Sequence, residues 1–165
     1  MANGPRSIKP GDIDWVHALN QRHAVELSAL TVDRLVDLVE QATYAKVIDN
    51  QAGFLLAFER AADYDSPNFL WFRERFDRFI YVDRIAVSDL YRGQGVARTF
   101  YEDLFEQARS DGHSTIVCEV NTDPPNPGSD AFHAALGFTE VGRATLAERG
   151  KSVRYLKRDL GSETG

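Results

Sequence analysis

The sequence predicts an α/β fold, a mixed sheet with helices on both faces. Two observations carry this. Segments with an apolar period near 3.6 interleave along the chain with segments whose apolar residues form short extended runs. The strongest such run, FIYVDRIAV (79–87), ends in a glycine-bearing junction, LYRGQGVARTFYEDL, that opens a helix. The element order is roughly βααββ, a long connection, then βαβαββ. No repeat and no linker divides the 165 residues, so one domain spanning 1–165 is expected. Residues 1–6 and 161–165 are expected to be flexible ends.

Each element has a local reason. Pro10 and Gly11 punctuate the start. Asp12 or Asp14 caps a helix that carries Trp15, Val16, Leu19 and His23 on about one face. ALTVDRLVDLVEQA is a second amphipathic helix with Leu35, Leu38 and Val39 inward and Thr31 or Asp33 as its cap. TYAKVID and GFLLAFER are strands, and DNQAG between them has hairpin chemistry. AADYDSPNFLWFRERFDR reads as a long connection, polar at its start and aromatic towards its end, with Tyr64, Phe69, Trp71, Phe72 and Phe76. After the strand at 79–87, a helix runs from about 95 to 110 with Val96, Phe100, Leu104 and Ala108 at helical spacing, closed by Gly112. STIVCEVN is a strand and TDPPNPGSD a turn-rich loop. Ser129 or Asp130 caps the short helix AFHAAL, and Gly137 ends it. FTEVGRATL and SVRYLKRDL are strands around the turn AERGK.

Composition bounds the function. Apolar residues make up 43% and charged residues 27%, ordinary for a folded domain with a real core. A net charge of −6 argues against a general nucleic-acid surface. Lys151, Arg154, Lys157 and Arg158 have strand spacing and read as a solvated face. The single cysteine, Cys118, excludes an internal disulfide and fits a reducing compartment. Its apolar surroundings make it a packing thiol rather than a nucleophile. MANGPRSIKPGD lacks the apolar core of a signal peptide, and no stretch is long enough to span a bilayer. A cytoplasmic location is therefore expected, with neither membrane nor nucleic acid as partner. His17, His23 and His113 show no metal-ligand spacing, so no metal site is expected.

The junction after the clearest strand carries the chemistry. A helix's first turn leaves backbone N–H groups without partners, and the helix dipole adds positive potential there. Phosphate oxygens satisfy both. Glycine allows close approach and unusual dihedrals. A dinucleotide fingerprint needs a third glycine where Arg98 stands, and no G-K-[ST] follows, which excludes a Walker loop. From spacing alone, a phosphate cradle and a tight turn with no ligand both remain.

RGQGVA (92–97) resembles the [QR]-x-x-G-x-[GA] signature of the GNAT acyltransferase superfamily, and the strand before it looks like that family's signature strand. CEVNTDPPNPGSDAFHAALGF (118–138) is similar to the family's second block, E-V-N … N-x-x-[AS]-x-x-[FL]-Y-x-x-x-G-F. The resemblance implies a mostly antiparallel sheet of six to seven strands, splayed between the signature strand and the next, with about four helices. It implies acetyl-coenzyme A (acetyl-CoA) as cosubstrate. Its diphosphate would rest on the N–H groups of Gly93, Gln94, Gly95, Val96 and Ala97, with Arg92 in the signature's first position and Arg98 either at a phosphate or solvated. The pantetheine arm would pair with the backbone of Ile85, Ala86 and Val87, as an added strand would. Asn126 and Ser129 match polar positions of the second block.

N-acetyl transfer, the activity implied, needs a base for the ammonium, whose pKa is near 10. The leaving thiolate benefits from a proton donor, and a signature-strand N–H stabilises the carbonyl oxygen. Glu119 is the candidate base, facing away from Cys118 and Val120 by strand alternation, where partial desolvation would raise its pKa. Asp83, expected on one face with Tyr81 and Ile85, is the second choice, with a structural pair to an arginine as the stronger reading. His133 stands where the family carries a tyrosine acid; it can donate when protonated or merely hydrogen-bond. The acceptor is expected near residues 25–38 and 64–76, the aromatic run either walling a pocket or packing on the core. Asp63, Asp65 and Glu74 are candidate attractors for a cation. The primary reading is transfer to a primary amine, of a small molecule or a peptide N-terminus, by direct attack in a ternary complex. A coenzyme-binding module without catalysis is the alternative; a longer acyl chain, an oxygen acceptor and a homodimer stay open.

Overall fold

The computed structural model describes residues 4–123, 126–146 and 150–161. A short strand β1 (Arg6–Ser7) leads through a 3-10 turn (Pro10–Asp12) to helices α1 (Ile13–Arg22), α2 (Ala24–Leu27) and α3 (Val32–Gln41). The hairpin β2 (Tyr44–Ile48) and β3 (Gly53–Glu59) follows, then α4 (Pro67–Arg73), β4 (Ile80–Val87), a 3-10 turn (Asp89–Tyr91) and α5 (Val96–Ser110). The chain closes with β5 (Thr115–Asp123), α6 (Pro127–Ala135), β6 (Thr139–Leu146) and β7 (Lys151–Asp159). The seven strands form one sheet in the order β1-β2-β3-β4-β5-β7-β6. Every neighbouring pair is antiparallel except β4 and β5.

The sheet has two covered faces, which is why GFLLAFE in β3 is apolar without alternation. On one face Val16, Leu19, Leu35 and Leu38 of α1 and α3 pack with Phe54, Leu56, Phe58, Tyr81, Val117 and Tyr155. On the other, Phe100, Leu104 and Ala108 of α5 pack with Leu55, Ala57, Ile80, Val82, Ile116 and Cys118. Cys118 is buried there, as expected of a packing thiol. Among the described residues, no helix is long and apolar enough to cross a membrane.

Several expectations shift. The aromatic connection contains α4, whose Phe69 and Phe72 are fully buried. Pro67 at its first turn, with Phe69, Phe72 and Phe76 three and four apart, is the helical signal inside that run. Helix α6 starts at Pro127, and its cap is Asn126, whose side chain accepts the Ser129 N–H; neither Ser129 nor Asp130 fills that role. Thr31 caps α3 through the Arg34 N–H, whereas Asp12 makes no side-chain cap bond. Asp12 instead accepts from Arg6, the Lys9 N–H and Trp15. Arg6 is thereby tied down and paired into the sheet; the expected flexible stretches 1–3 and 162–165 lie outside the described residues. The basic residues of β7 are half-buried and engaged: Arg154 pairs with Asp130 and Glu140, and Arg158 donates to the Leu136 carbonyl.

The β3–β4 contact leaves no room for a side chain at Gly53, where a Cβ would lie 2.6 Å from the Ala86 carbonyl oxygen. Gly53→Ala is expected to cost about 1–3 kcal/mol through overpacking against backbone, read as a lower urea midpoint at unchanged slope.

Candidate active site

The site grows from a split in the sheet. Strands β4 and β5 pair only at Ile80 with Ile116 and Tyr81 with Val117. Beyond them the strands part. The cause lies on the other edge of β4, where Leu56 faces Arg84 and Ala57 faces Val82, leaving Asp83 as an extra residue. Such a bulge bends the strand and interrupts side-chain alternation. Consequently Asp83 and Arg84, though adjacent, both reach partners on the α1 side, Tyr64 and Asn20. Ile85 instead packs against the α5 cluster, so it does not share a face with Asp83 as alternation alone would have it.

A cavity of about 760 Å³ fills the split on the α5 side. Its walls include residues 82–87 of β4, Gly93 and Gly95–Arg98 of the junction, Cys118–Asn121 of β5, and Asn126, Ser129 and His133 of α6. Gly93 and Gly95 both have φ of +77°, in the left-handed region that favours glycine, and a Cβ at either would meet nothing within 4 Å. Gly95 caps α5, so the first-turn N–H groups that follow lack helical acceptors. The Gln94 N–H is not among the open donors. It bonds the Tyr91 carbonyl oxygen at 3.3 Å, and Gln94 does not line the cavity. Arg92 lines the cavity while its Nε donates to Asp89. Arg98 lines it as an exposed residue of the first helical turn.

A second cavity of about 530 Å³ lies on the α1 side, lined by 27–30, Arg34, Leu38, 64–68 and Lys151. Asp83, Arg84, Glu119 and Asn121 line both cavities. Glu119 is half-buried and accepts a 2.5 Å hydrogen bond from the Tyr81 hydroxyl. Burial, then the Glu119 charge, pushes Tyr81 well above the ordinary phenol range, so the proton stays on Tyr81 and the bond is charge-assisted. Asp83 is held differently. Arg84 Nε lies 2.7 Å from one of its oxygens, and the Tyr64 hydroxyl donates to the other at 2.6 Å. The Asp83 and Arg84 side chains are only 4% and 6% exposed, so the arginine pair anticipated for Asp83 is present and buried.

His133 is also buried. Its Nδ1 lies 2.7 Å from the Ser129 carbonyl oxygen and must carry a proton to bond there. In the neutral ring Nε2 then accepts from the Tyr101 hydroxyl at 3.0 Å. Burial, the largest influence, lowers the His133 pKa below its ordinary value. Sequence reasoning missed Tyr101, Arg84 and the role of Tyr81, whereas Tyr64 was among the residues expected near the acceptor. Tyr81, two residues before Asp83, carried a signal in its strand alternation. Tyr101 carried none, because its partner is 32 positions away. Of the aromatic run only Tyr64 lines the second cavity; Phe69, Phe72 and Trp71 pack inward, Trp71 stacked on Tyr155 with ring centroids 4.1 Å apart. Asp65 lines that cavity; Asp63 and Glu74 do not. Among the described residues no group of three or more His, Cys, Asp or Glu side chains is placed to hold a metal ion.

The His133 shift has a sign. The unfolded chain takes up a proton near pH 6.5, and the folded chain only at lower pH. Folding stability should therefore fall as pH drops below about 6.5 until the folded pKa is reached. The expected result is a steeper loss of Tm between pH 7.5 and 5 for the wild type than for His133→Gln, with an imidazole NMR titration midpoint below 6.5.

Known proteins share this fold. The sequence model of the acetyltransferase (GNAT) family matches residues 42–138, more than half of the chain. N-acetyltransferase 8F1 of Rattus norvegicus is 30% identical over 63 residues, which cover 38% of this chain and 28% of that protein. The ribosomal-protein-S18-alanine N-acetyltransferase of Escherichia coli superposes with a TM-score of 0.71 at 15% identity, over 100% of this chain and 99% of that one. Ard1 of Thermoplasma volcanium gives 0.76 at 17% identity over 96% and 97%. The yncA protein of Salmonella typhimurium, solved with its cofactor acetyl-CoA, gives 0.71 at 17% over 100% and 97%. The glycine junction, the split sheet and the family match agree: this chain belongs to the acetyltransferase (GNAT) family.

Proposed function

We propose that the chain is an N-acetyltransferase that moves an acetyl group from acetyl-CoA to a primary amine by direct attack in a ternary complex. One observation carries this reading: two cavities, one reaching the glycine junction and the other the 64–68 segment, share a wall that contains Glu119. A donor on one side and an acceptor on the other would meet at that carboxylate.

The α5-side cavity fits the coenzyme. Gly93 and Gly95 leave open space where side chains would stand, and the N–H groups of Gly93, Gly95, Val96 and Ala97 suit a diphosphate. Arg92 and Arg98 add positive charge. The backbone of Ile85, Ala86 and Val87 forms the β4 wall and can pair with an amide-bearing arm. Asn126 and Ser129 stand on the α6 lip. When bound, acetyl-CoA supplies the acetyl carbonyl as an activated thioester.

The chain's own groups do the rest. Glu119 takes the proton of the incoming ammonium while Tyr81 fixes its carboxylate. Asp83 serves no base role in this reading, because Arg84 and Tyr64 occupy both its oxygens. A backbone N–H of β4 faces the developing oxyanion. The acid role falls to the Tyr101–His133 pair: the Tyr101 hydroxyl, which rests on His133 Nε2, turns its one proton to the leaving thiolate, and the phenolate so formed is reprotonated from solvent. The acceptor is a polar amine, since Glu119, Asn68 and Asn121 line the second cavity and the aromatic run contributes only Tyr64 to it. A peptide N-terminus is one such amine, and the superposed E. coli enzyme is named as an N-acetyltransferase of ribosomal-protein-S18 alanine. The chemically inactive coenzyme sensor remains the second reading, favoured by a His133 whose charged form burial disfavours.

Acetyl-CoA should raise the apparent Tm, as a ligand specific for the folded state does. Thiol release should then appear with at least one of L-alaninamide, spermidine, tryptamine or an alanine-initiated hexapeptide. Stabilisation with no thiol release from any of them would favour the sensor. Glu119→Gln should lower kcat by roughly 10²-fold or more while leaving the acetyl-CoA Tm shift in place. His133→Phe should lower kcat by about tenfold or more, within the range of acid–base contributions, with a small change in coenzyme affinity. Unchanged turnover would remove the pair from the chemistry.

A further inference from the structure

We infer that the adjacent pair Asp83–Arg84 is a clasp that presets the two non-strand walls of the acceptor cavity, so that Arg84 is a positioning residue for the acceptor; the inference rests on the second cavity being the acceptor site. Four observations lead there. The bulge turns both side chains to the α1 side, where alternation would have separated them. Arg84 then reaches α1 and the loop after α2: Nη1 donates to Oδ1 of Asn20 in α1 at 2.9 Å and to the Ser28 carbonyl oxygen at 3.4 Å. Asn20 is fully buried and donates to the same Ser28 oxygen at 3.0 Å. Asp83 reaches the other wall, accepting from Tyr64 in the segment before α4. Leu27–Leu30 and Tyr64–Asn68 both line the cavity, and neither is joined to the sheet as a strand.

The loop between α2 and α3 is also held in an uncommon shape. Ser28 has φ +69° and ψ 141°, a conformation that residues with a side chain rarely adopt. Strain of this kind persists where surrounding contacts over-determine it, and it clusters at ligand clamps. The two donors on the Ser28 carbonyl, together with the bond from the Leu30 N–H to Gln21 Oε1 at 2.9 Å, are such contacts. Only a planar fork bridges Asp83, Asn20 and Ser28 at once; a lysine ammonium is a single point of charge on a flexible stem. A buried ion pair is a costly way to gain stability, which fits a role in geometry.

The test is amide hydrogen exchange on the intact chain, which requires no acetyl transfer. In Arg84→Met, amides of 20–31 and 61–66 should exchange roughly tenfold faster or more, while those of β3 and β5 keep wild-type protection. Tyr64→Phe should loosen 61–66 and spare 20–31. Arg84→Lys should resemble Arg84→Met. Ser28→Gly in the Arg84→Met background should restore part of the 20–31 protection, because glycine holds that φ without help. With the fastest amine of the panel, Arg84→Met should raise the amine KM tenfold or more and leave the acetyl-CoA KM within about threefold. Unchanged exchange in both segments would overturn the clasp, and so would a uniform rise across the whole sheet, which would mark Arg84 as general core support. Should Arg84→Met fail to fold, Arg84→Lys and Tyr64→Phe decide by the same readouts. Failure of acetyl-CoA to stabilise the wild type would instead strike the functional reading and leave the exchange result standing.

Discussion

Two residue pairs, Ile80 with Ile116 and Tyr81 with Val117, are the whole of the backbone ladder between the halves of the sheet. Everything functional depends on the ladder stopping there. Past Tyr81, β4 still pairs with β3 on one side. On the other side its main chain faces a cavity rather than a strand. Backbone N–H and C=O groups demand partners, so this edge is built for water or for something strand-like. The bulge at Asp83 sets the branch point. Had the ladder continued, β5 would have closed over the space, and the glycine junction beyond Val87 would have opened onto solvent with nothing behind it.

The same branch point governs the chemistry. Each half of the split offers a carboxylate, Asp83 from β4 and Glu119 from β5, and each accepts a tyrosine hydroxyl at 2.5–2.6 Å. Hydrogen bonds to a charged group are worth about 1.5–3 kcal/mol, so both carboxylates are firmly oriented. Arg84 separates their fates. It sits directly on Asp83 and extends beyond it to Asn20. Asp83 thus becomes a link in the scaffold, while Glu119, bridged to Tyr81 across the mouth of the split, keeps its place in the wall shared by both cavities. Two similar acids acquire different roles from their neighbours rather than from their type.

Legibility in the sequence followed the range of the interactions. The junction at Gly93–Gly95 was readable because its constraint is local: two left-handed residues and a helix start, each written in adjacent letters. Strand β4, helix α5 and the inward face of α3 were readable for the same reason. The sheet order and the split were reachable through the family resemblance and not through periodicity. Helix α4 was misread as a connection although Pro67 and the spacing of Phe69, Phe72 and Phe76 announced it; the density of aromatics resembled a wall and hid the period. The bulge was not legible at all, because it exists only in the register between β4 and β3. That is why Ile85 was assigned to the wrong face and why the reach of Arg84 to Asn20, 64 positions away, had no trace in the letters.

Helix α6 shows how far a capping residue can act. Asn126 Oδ1 accepts the Ser129 N–H and so fixes the first turn. That turn presents the Ser129 carbonyl oxygen to His133 Nδ1, which decides the tautomer. With Nδ1 protonated, Nε2 is left as an acceptor, and the Tyr101 hydroxyl must donate to it. Burial adds to this by disfavouring the imidazolium. A histidine chosen for its exposed pKa would be a fair acid near neutrality; this one is an acceptor that holds the Tyr101 hydroxyl beside the cavity wall, its proton turned to Nε2. The cap therefore bears on the direction of a proton on the neighbouring helix α5, through three hydrogen bonds in series, and the histidine of the second block is matched by the tyrosine on α5.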